Sequence, residues 1–201
     1  MGSLSLLRQL PNAITLLRIA MVIPLAMFLA RGNYHDGFLL FFIAAVSDAL
    51  DGLLAKRFDW TSRFGAIADP IADKLLMVTS YFMLATNGEL PLWLFVLVVL
   101  RDLVIVCGAL LYHRLFGPFD MAPTRLSKLN TLLQILLVVV LVFSLGWWPL
   151  SRAIIDALIV AVAISTAASG LDYVWRWGRR AVRLGRQRRG GAGRGDVTDL
   201  K

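Results

Sequence analysis

The sequence predicts an all-α, polytopic membrane protein with six transmembrane helices and both termini in the cytoplasm. Three observations point to it. First, 58% of the 201 residues are hydrophobic and mean hydropathy is +0.72, against about 45–50% apolar residues in soluble domains. Second, the apolar residues come in blocks of roughly 18–25, the length that crosses ~30 Å of hydrocarbon. Third, the basic residues between the blocks fall mostly on one side of the chain's expected path.

The elements follow in order. Spans are expected near 13–31, 38–57, 65–86, 91–113, 129–148 and 153–175. The first opens with LPNAITLLRIAMVIP, where Asn12, Thr15 and Arg18 stand at i, i+3 and i+6 and share a helix face. Asn12 after Pro11 is also a reasonable helix cap, but a cap does not account for an arginine inside a span. RGNYHDG leads to the second span, which carries Asp48 and Asp51, and the third carries Asp69, Asp73 and Lys74. NGELP precedes the fourth, which holds Arg101, Asp102 and Cys107. Cys107 is the only cysteine, so no intrachain disulfide forms. HRLFGPFDMAPTRLSK, with Arg125 and Lys128, leads to the fifth span. GWWPLSR, whose Trp147 and Trp148 suit an interfacial aromatic belt, leads to the sixth. Residues 1–177 form the transmembrane domain, and 178–201 read as a basic, disordered cytoplasmic tail.

The formal charge is +8. Such a balance can mean nucleic acid, but eight arginines between Arg176 and Arg194 directly follow the last apolar block. That placement suits anionic lipid at a cytoplasmic surface, and no nucleic-acid partner is expected. With the N-terminus inside, the inner loops hold Arg8, Lys56, Arg57, Arg63, Arg114, Arg125, Lys128 and the tail arginines, and the outer loops hold Arg31 and Arg152. The first apolar run resembles a signal peptide in length, but its polar residues argue that it is kept.

The acids carry the chemistry. Asp48 and Asp51 stand at i,i+3, and Asp69 and Asp73 at i,i+4, so each pair lies on one helix face near the cytoplasmic end of adjacent antiparallel spans. A single aspartate in a span is often a helix–helix hydrogen-bonding residue. Four at these spacings, interleaved with Gly52 and Gly65, call for a polar site. Converging carboxylates repel, and hard divalent cations such as Mg²⁺ or Mn²⁺ resolve the conflict. The glycines let backbone approach a ligand closely, or let helices pack closely.

Asp48-x₂-Asp51-Gly52-x₂-Ala55-Lys56-x₈-Gly65-x₃-Asp69-x₃-Asp73 resembles the signature of the CDP-alcohol phosphotransferases, D-x₂-D-G-x₂-A-R-x₈-G-x₃-D-x₃-D. Seven of its eight fixed positions match. The departure is Lys56, which keeps the charge of the family arginine without its bidentate fork, and Arg57 follows it. The resemblance implies a dimeric membrane enzyme that moves a phosphoalcohol unit from a CDP-linked donor to a hydroxyl and releases CMP. It implies metal ligands at Asp48, Asp51, Asp69 and Asp73, two ions per protomer, and a general base at Asp73. Donor contacts are implied at Asn12, Thr15, Arg18, Asp48, Gly52, Ala55, Lys56, Gly65 and Asp69.

Three further stretches bear on the acceptor. The Asn12–Thr15–Arg18 pattern resembles N-x₂-T-x₂-R of bacterial phosphatidylglycerophosphate synthases, and DPIADK resembles the branch using CDP-diacylglycerol and glycerol-type acceptors. Arg101-Asp102, with the run from Pro123 to Gln134, resembles CMP-forming cardiolipin synthases. Glycerophosphate-using relatives tend to have K-x-K-T around Lys128, where this chain has Asn130 in place of the second lysine. One fewer cation suits a phosphodiester better than a dianionic monoester. Lys74, Arg101, Arg125 and Lys128 are expected to bind the acceptor or its phosphate. Lys74 also suits snorkelling, and Arg125 and Lys128 ordinary positive-inside charge.

The reading is a CDP-diacylglycerol-dependent phosphatidyltransferase of a bacterial inner membrane, its site facing the cytoplasm. Phosphatidylglycerol is preferred over glycerol 3-phosphate as acceptor. A divalent-cation transporter or channel would also need intramembrane acids, but no internal repeat is evident and the acids cluster in one stretch. A membrane-binding scaffold leaves the acids unexplained.

Overall fold

A computed structural model describes residues 10–58, 63–116 and 124–192, with the side chains of 10–13, 48–58, 63–67, 112, 113, 115, 116, 177, 178 and 180–192 outside the description. Among the described residues six helices follow one another: α1 Leu10–Ala30, α2 Tyr34–Phe58, α3 Arg63–Thr86, α4 Leu92–Phe116, α5 Arg125–Gly146 and α6 Arg152–Ala192. They overlie the six expected apolar runs, and no strand occurs among the described residues.

Among the described residues, three segments are long and apolar enough to cross a membrane: Leu92–Leu111, Arg125–Gly146 and Arg152–Arg176. Two shorter apolar stretches lie in α1 and α2, Ile14–Ala30 and Tyr34–Ser47. Asp48, Asp51, Asp69, Asp73 and Lys74 lie within the apolar runs of α2 and α3.

Local chemistry sets the helix ends. At the end of α1, Gly32 N–H donates to Leu29 O and Asn33 N–H to Phe28 O, with Gly32 at φ 70°. At the end of α3, Gly88 N–H donates to Ala85 O and Glu89 N–H to Leu84 O, with Gly88 at φ 80°. Both are Schellman turns, in which glycine takes the left-handed position and the otherwise orphaned helical carbonyls are satisfied. Asn33 then starts α2: its backbone carbonyl accepts from Gly37 N–H, and its side-chain amide donates to Asp36 at 2.7 Å. Thr124 caps α5, its hydroxyl accepting from Ser127 N–H at 3.1 Å.

The described chain divides into two compact units. The first comprises Met1–Val96 and Thr131–Val162. In it α1 packs against both α2 and α3. Its core includes Leu25, Leu29, Leu84, Leu94, Leu137 and Leu141, all fully buried. Ala68, Ala72 and Leu76 repeat every fourth residue as a buried stripe on α3, and the two alanines leave room for a close neighbour. The two short turns of this unit are also tied together, since Asn87 donates to Leu29 O at 2.6 Å and to the Tyr34 hydroxyl at 3.1 Å. At the junction of α2 and α5, His35 stacks on Trp147 with centroids 4.5 Å apart, and Phe38 meets Phe143 edge-on. Gly146 is required there, because a Cβ would stand 2.7 Å from backbone atoms of Tyr34 and His35.

The second unit comprises Leu97–Asn130 and Ala163–Lys201. Its buried residues, among those described, are Val98 and Tyr173 and otherwise polar: Asn130, Ser165, Thr166 and Ser169.

The basic segment from Gly178, expected to be disordered, continues α6 as helix as far as Ala192. The glycines there suggested disorder, but Ala, Leu, Gln and Arg, all good helix formers, alternate with them. A helix already nucleated upstream extends more readily than one that must start anew. Residues 193–201 lie outside the described residues.

Candidate active site

The first unit brings four of the expected residues together. Thr15 and Arg18 lie one turn apart on α1 and are buried. Asp69 and Asp73 lie one turn apart on α3. The Thr15 hydroxyl donates to Asp69 Oδ1, and Arg18 Nη1 donates to Asp73 Oδ1 at 2.9 Å. The α1 face read from the sequence thus registers, residue for residue, on the acid pair of α3. Exposure is uneven across the second pair: the Arg18 side chain is 2% exposed and that of Asp73 51%. The arginine is therefore an internal cation, while the carboxylate is half exposed. Charge-assisted bonds of this kind are short and directional.

Lys74 follows Asp73 and is partly exposed. Asn12 lies in α1, Asp48, Asp51, Gly52, Ala55 and Lys56 lie in α2, and Gly65 lies in the first turn of α3. The side chains at these positions, and Arg57's, lie outside the described residues.

Divalent metal was expected on four carboxylates. Asp69 and Asp73 fit that role in donor type, since Mg²⁺ and Mn²⁺ take hard oxygen ligands. Each accepts a hydrogen bond on one oxygen, and a carboxylate offers about four lone-pair sites. Among the described residues, no group of three or more His, Cys, Asp or Glu side chains is assembled.

The second unit gathers a different set. Arg101 on α4 donates to Asp102 at 2.9 Å, to Ser127 on α5 at 2.6 Å and to Ser169 on α6 at 2.7 Å. Its guanidinium carbon stands 5.9 Å from the Tyr173 ring centroid, and Gly170 leaves space beside its aliphatic stem. Arg101 therefore joins three helices. Arg125 and Lys128, in the first turn of α5, are exposed and form no ion pair among the described residues.

Asn130 is fully buried, and its side-chain oxygen accepts from the hydroxyls of Ser165 and Thr166, both at 2.8 Å. The position noted in the sequence as missing a lysine is thus a neutral hydrogen-bonding centre. Sequence reasoning missed its partners, and also Ser169 and Tyr173. The available signal was the spacing of Ser165, Thr166 and Ser169, which places small polar groups on one side of an otherwise apolar helix.

A family model described as CDP-alcohol phosphatidyltransferase matches residues 8–169. The chain belongs to that family. This phosphatidyltransferase is 34% identical over 175 residues to a probable phosphatidylglycerophosphate synthase of Mycobacterium tuberculosis, covering 84% of this chain and 81% of that protein. It is 30% identical over 181 residues to a probable cardiolipin synthase (CMP-forming) of Drosophila melanogaster, covering 82% of this chain and 56% of the fly protein. It is 31% identical over 182 residues to the CDP-diacylglycerol–glycerol-3-phosphate 3-phosphatidyltransferase of Bacillus subtilis, covering 82% and 93%. The match spans the α1 and α3 residues of the first unit and Arg101, Asn130 and Ser169 of the second. The phosphatidyltransferase is an enzyme, and nothing in its described helices favours a transporter.

Proposed function

We propose that the enzyme transfers the phosphatidyl group of CDP-diacylglycerol to phosphatidylglycerol, releasing CMP and forming cardiolipin. The observation that carries the reading is the pairing of Thr15 with Asp69 and of Arg18 with Asp73. It supports a site in which one carboxylate is held by a neutral hydroxyl and the other by a buried cation, two environments suited to two roles.

In this reading Asp73 accepts the proton of the acceptor hydroxyl as that oxygen bonds to the phosphatidyl phosphorus. The bond from that phosphorus to the CMP oxygen breaks, and CMP leaves. Arg18 keeps Asp73 oriented and offsets negative charge at the diphosphate. Thr15 fixes the rotamer of Asp69. Two Mg²⁺ or Mn²⁺ ions, held by Asp48, Asp51, Asp69 and Asp73, would neutralise the diphosphate and stabilise the leaving oxygen. Asn12, Gly52, Ala55, Lys56 and Gly65 would complete the donor site, and Lys74, Arg125 and Lys128 would meet the acceptor's phosphate. Arg101 is assigned to positioning, because three of its hydrogen bonds go to protein side chains.

The protein would cross a bacterial inner membrane six times as a homodimer, with both termini and the site at the cytoplasmic face. Asn130 favours phosphatidylglycerol, since a buried neutral amide, its oxygen accepting from two hydroxyls, adds no cation for a phosphomonoester. Glycerol 3-phosphate is the second reading, favoured by the Bacillus subtilis relative whose name specifies it and by the Mycobacterium tuberculosis relative named for phosphatidylglycerophosphate. The deciding experiment offers the purified protein CDP-diacylglycerol with each acceptor separately and identifies products by mass spectrometry. Cardiolipin is the expected product. Phosphatidylglycerophosphate alone would establish the second reading, and no CMP release with either acceptor would overturn both.

A further inference from the structure

Helix α6 runs for 41 residues, Arg152–Ala192, about 60 Å of helix against ~30 Å of hydrocarbon. Its apolar part ends at Arg176. Over residues 174–187 the helical register sorts the sequence into two sides, and Arg188 and Arg189 that follow fall outside this pattern. Arg176, Arg179, Arg180, Arg183 and Arg186 follow i, i+3, i+4, i+7 and i+10, which places their positions within roughly a third of the helix circumference. Positions 174, 177, 178, 181, 184 and 185 fall on the other side and are Val, Trp, Gly, Ala, Leu and Gly. A disordered tail would have no such sides. They exist because the helix continues.

The turn that leads into this extension carries interfacial side chains. Leu171, Val174 and Trp175 are exposed just before it, and the guanidinium of Arg179 lies 4.3 Å from the centroid of the Trp175 ring. A tryptophan beside an arginine, with an apolar strip next to a cationic one, is the pattern of a helix that rests at the headgroup level of an anionic bilayer. Charge complementarity names the occupant: Arg176 is paired with Asp172, and the four further arginine positions on that helix side match a surface of phospholipid phosphates.

We propose that the α6 extension, Arg176–Ala192, is an interfacial binding site for anionic phospholipid of the enzyme's own membrane. It lies apart in sequence from the residues assigned to transfer, and its occupancy is independent of which acceptor the site uses. Attachment strengthens about fivefold per basic residue near an anionic surface and weakens with salt.

The test uses the full chain in nanodiscs of neutral phosphatidylcholine, or of the same lipid with about 30% phosphatidylglycerol, a fraction chosen to give an anionic surface. Amide hydrogen exchange is followed over residues 176–192. Exchange is expected to slow on the order of tenfold in the anionic discs, the gain being lost at high salt. The combined variant Arg179→Gln, Arg180→Gln, Arg183→Gln and Arg186→Gln should lose the slowing. The matching Arg→Lys variant should keep it, since both replacements retain helix propensity. Exchange in α3 serves as the control for folding. Equal exchange of the wild-type segment in the two lipids would overturn the proposal. So would protection by an added RNA oligonucleotide with none by anionic lipid, which would assign the segment to nucleic acid instead. Neither readout depends on turnover, so failure here is distinguishable from failure of the proposed activity.

Discussion

Asp69 and Asp73 have the same chemistry and the same helix, but different neighbours. Asp69 is held by a neutral hydroxyl and Asp73 by a buried guanidinium. If Asp69 is chiefly a ligand, Asp69→Asn should lose metal and CDP-diacylglycerol binding together. If Asp73 is the base, Asp73→Asn should still bind donor while single-turnover transfer falls about 10²–10⁴-fold. Donor affinity and transfer measured on the same preparation separate the two, and parallel loss in Asp73→Asn would make it a ligand first. Thr15 acts one step away. Thr15→Val removes the hydroxyl with little change of shape, so Asp69 loses its orienting partner. The Mg²⁺ concentration for half-maximal activity should rise roughly 10–100-fold, the usual effect of removing a group that orients a metal ligand. Thr15→Ser should restore it, and an unchanged metal requirement would show that Thr15 only fills space.

Two contacts between helix ends govern the elements. Gly146 at the end of α5 stands against the backbone of Tyr34 and His35 at the start of α2. Backbone cannot rotate aside as a side chain can, so Gly146→Ala must push the helices apart and disturb the His35–Trp147 stack. A loss of about 1–3 kcal/mol is expected, the range for overpacking, read as a lower melting temperature in detergent. An unchanged melting temperature would mean that the junction yields freely. The α2 cap adds a pH dependence. Hydrogen bonds from His35 and Asn33 hold the Asp36 carboxyl below its ordinary value, and the residue is exposed ahead of the expected span. A depressed carboxylate stabilises the fold above its unfolded pKa, and that contribution is lost as pH falls through the folded pKa. Melting temperature should therefore drop from about pH 4 downward, and Asp36→Asn should flatten part of that drop. Identical profiles for the two proteins would remove Asp36 as a source.

At the scale of the whole molecule, polarity is arranged for a lipid solvent. Thr15, Arg18, Ser80, Asn130, Gln134, Ser165, Thr166 and Ser169 are buried, while Leu16, Ile23, Leu100, Leu110, Val160 and Ile164 are about half exposed or more. Lipid tails are as apolar as leucine, so helices gain by joining polar groups and small residues. This explains what the sequence revealed. The six helices were legible because apolar block length is a strong signal. The acids were legible because charge inside such blocks is costly and spacing fixes a helix face. The matching of Thr15 to Asp69 and Arg18 to Asp73 was not, because face periodicity says nothing of which helix lies opposite. The Asn130 and Arg101 networks were hidden for the same reason: serine and threonine in an apolar run carry little signal until their partners are placed. The extension of α6 was not legible because glycine content there outweighs the signal of the helix leading into it.

The Arg18–Asp73 pair also dictates an order of events during synthesis. Arg18 lies near the middle of α1, and its carboxylate partner belongs to α3, which leaves the ribosome later. In the proposed six-span arrangement, until α3 arrives α1 carries a guanidinium inside the bilayer, a cost that rises toward about 2.5–3.5 kcal/mol at a membrane centre. The first helix should therefore enter the bilayer poorly on its own, waiting at the translocon until its partner follows. In a glycosylation-reporter assay, α1 alone should insert less efficiently than α1 carrying Arg18→Leu. The segment from α1 through α3 should recover insertion, and Asp73→Asn in that longer segment should remove part of the recovery. Efficient insertion of the isolated wild-type helix would mean that Arg18 reaches the headgroups unaided and finds its carboxylate only after the membrane has been crossed.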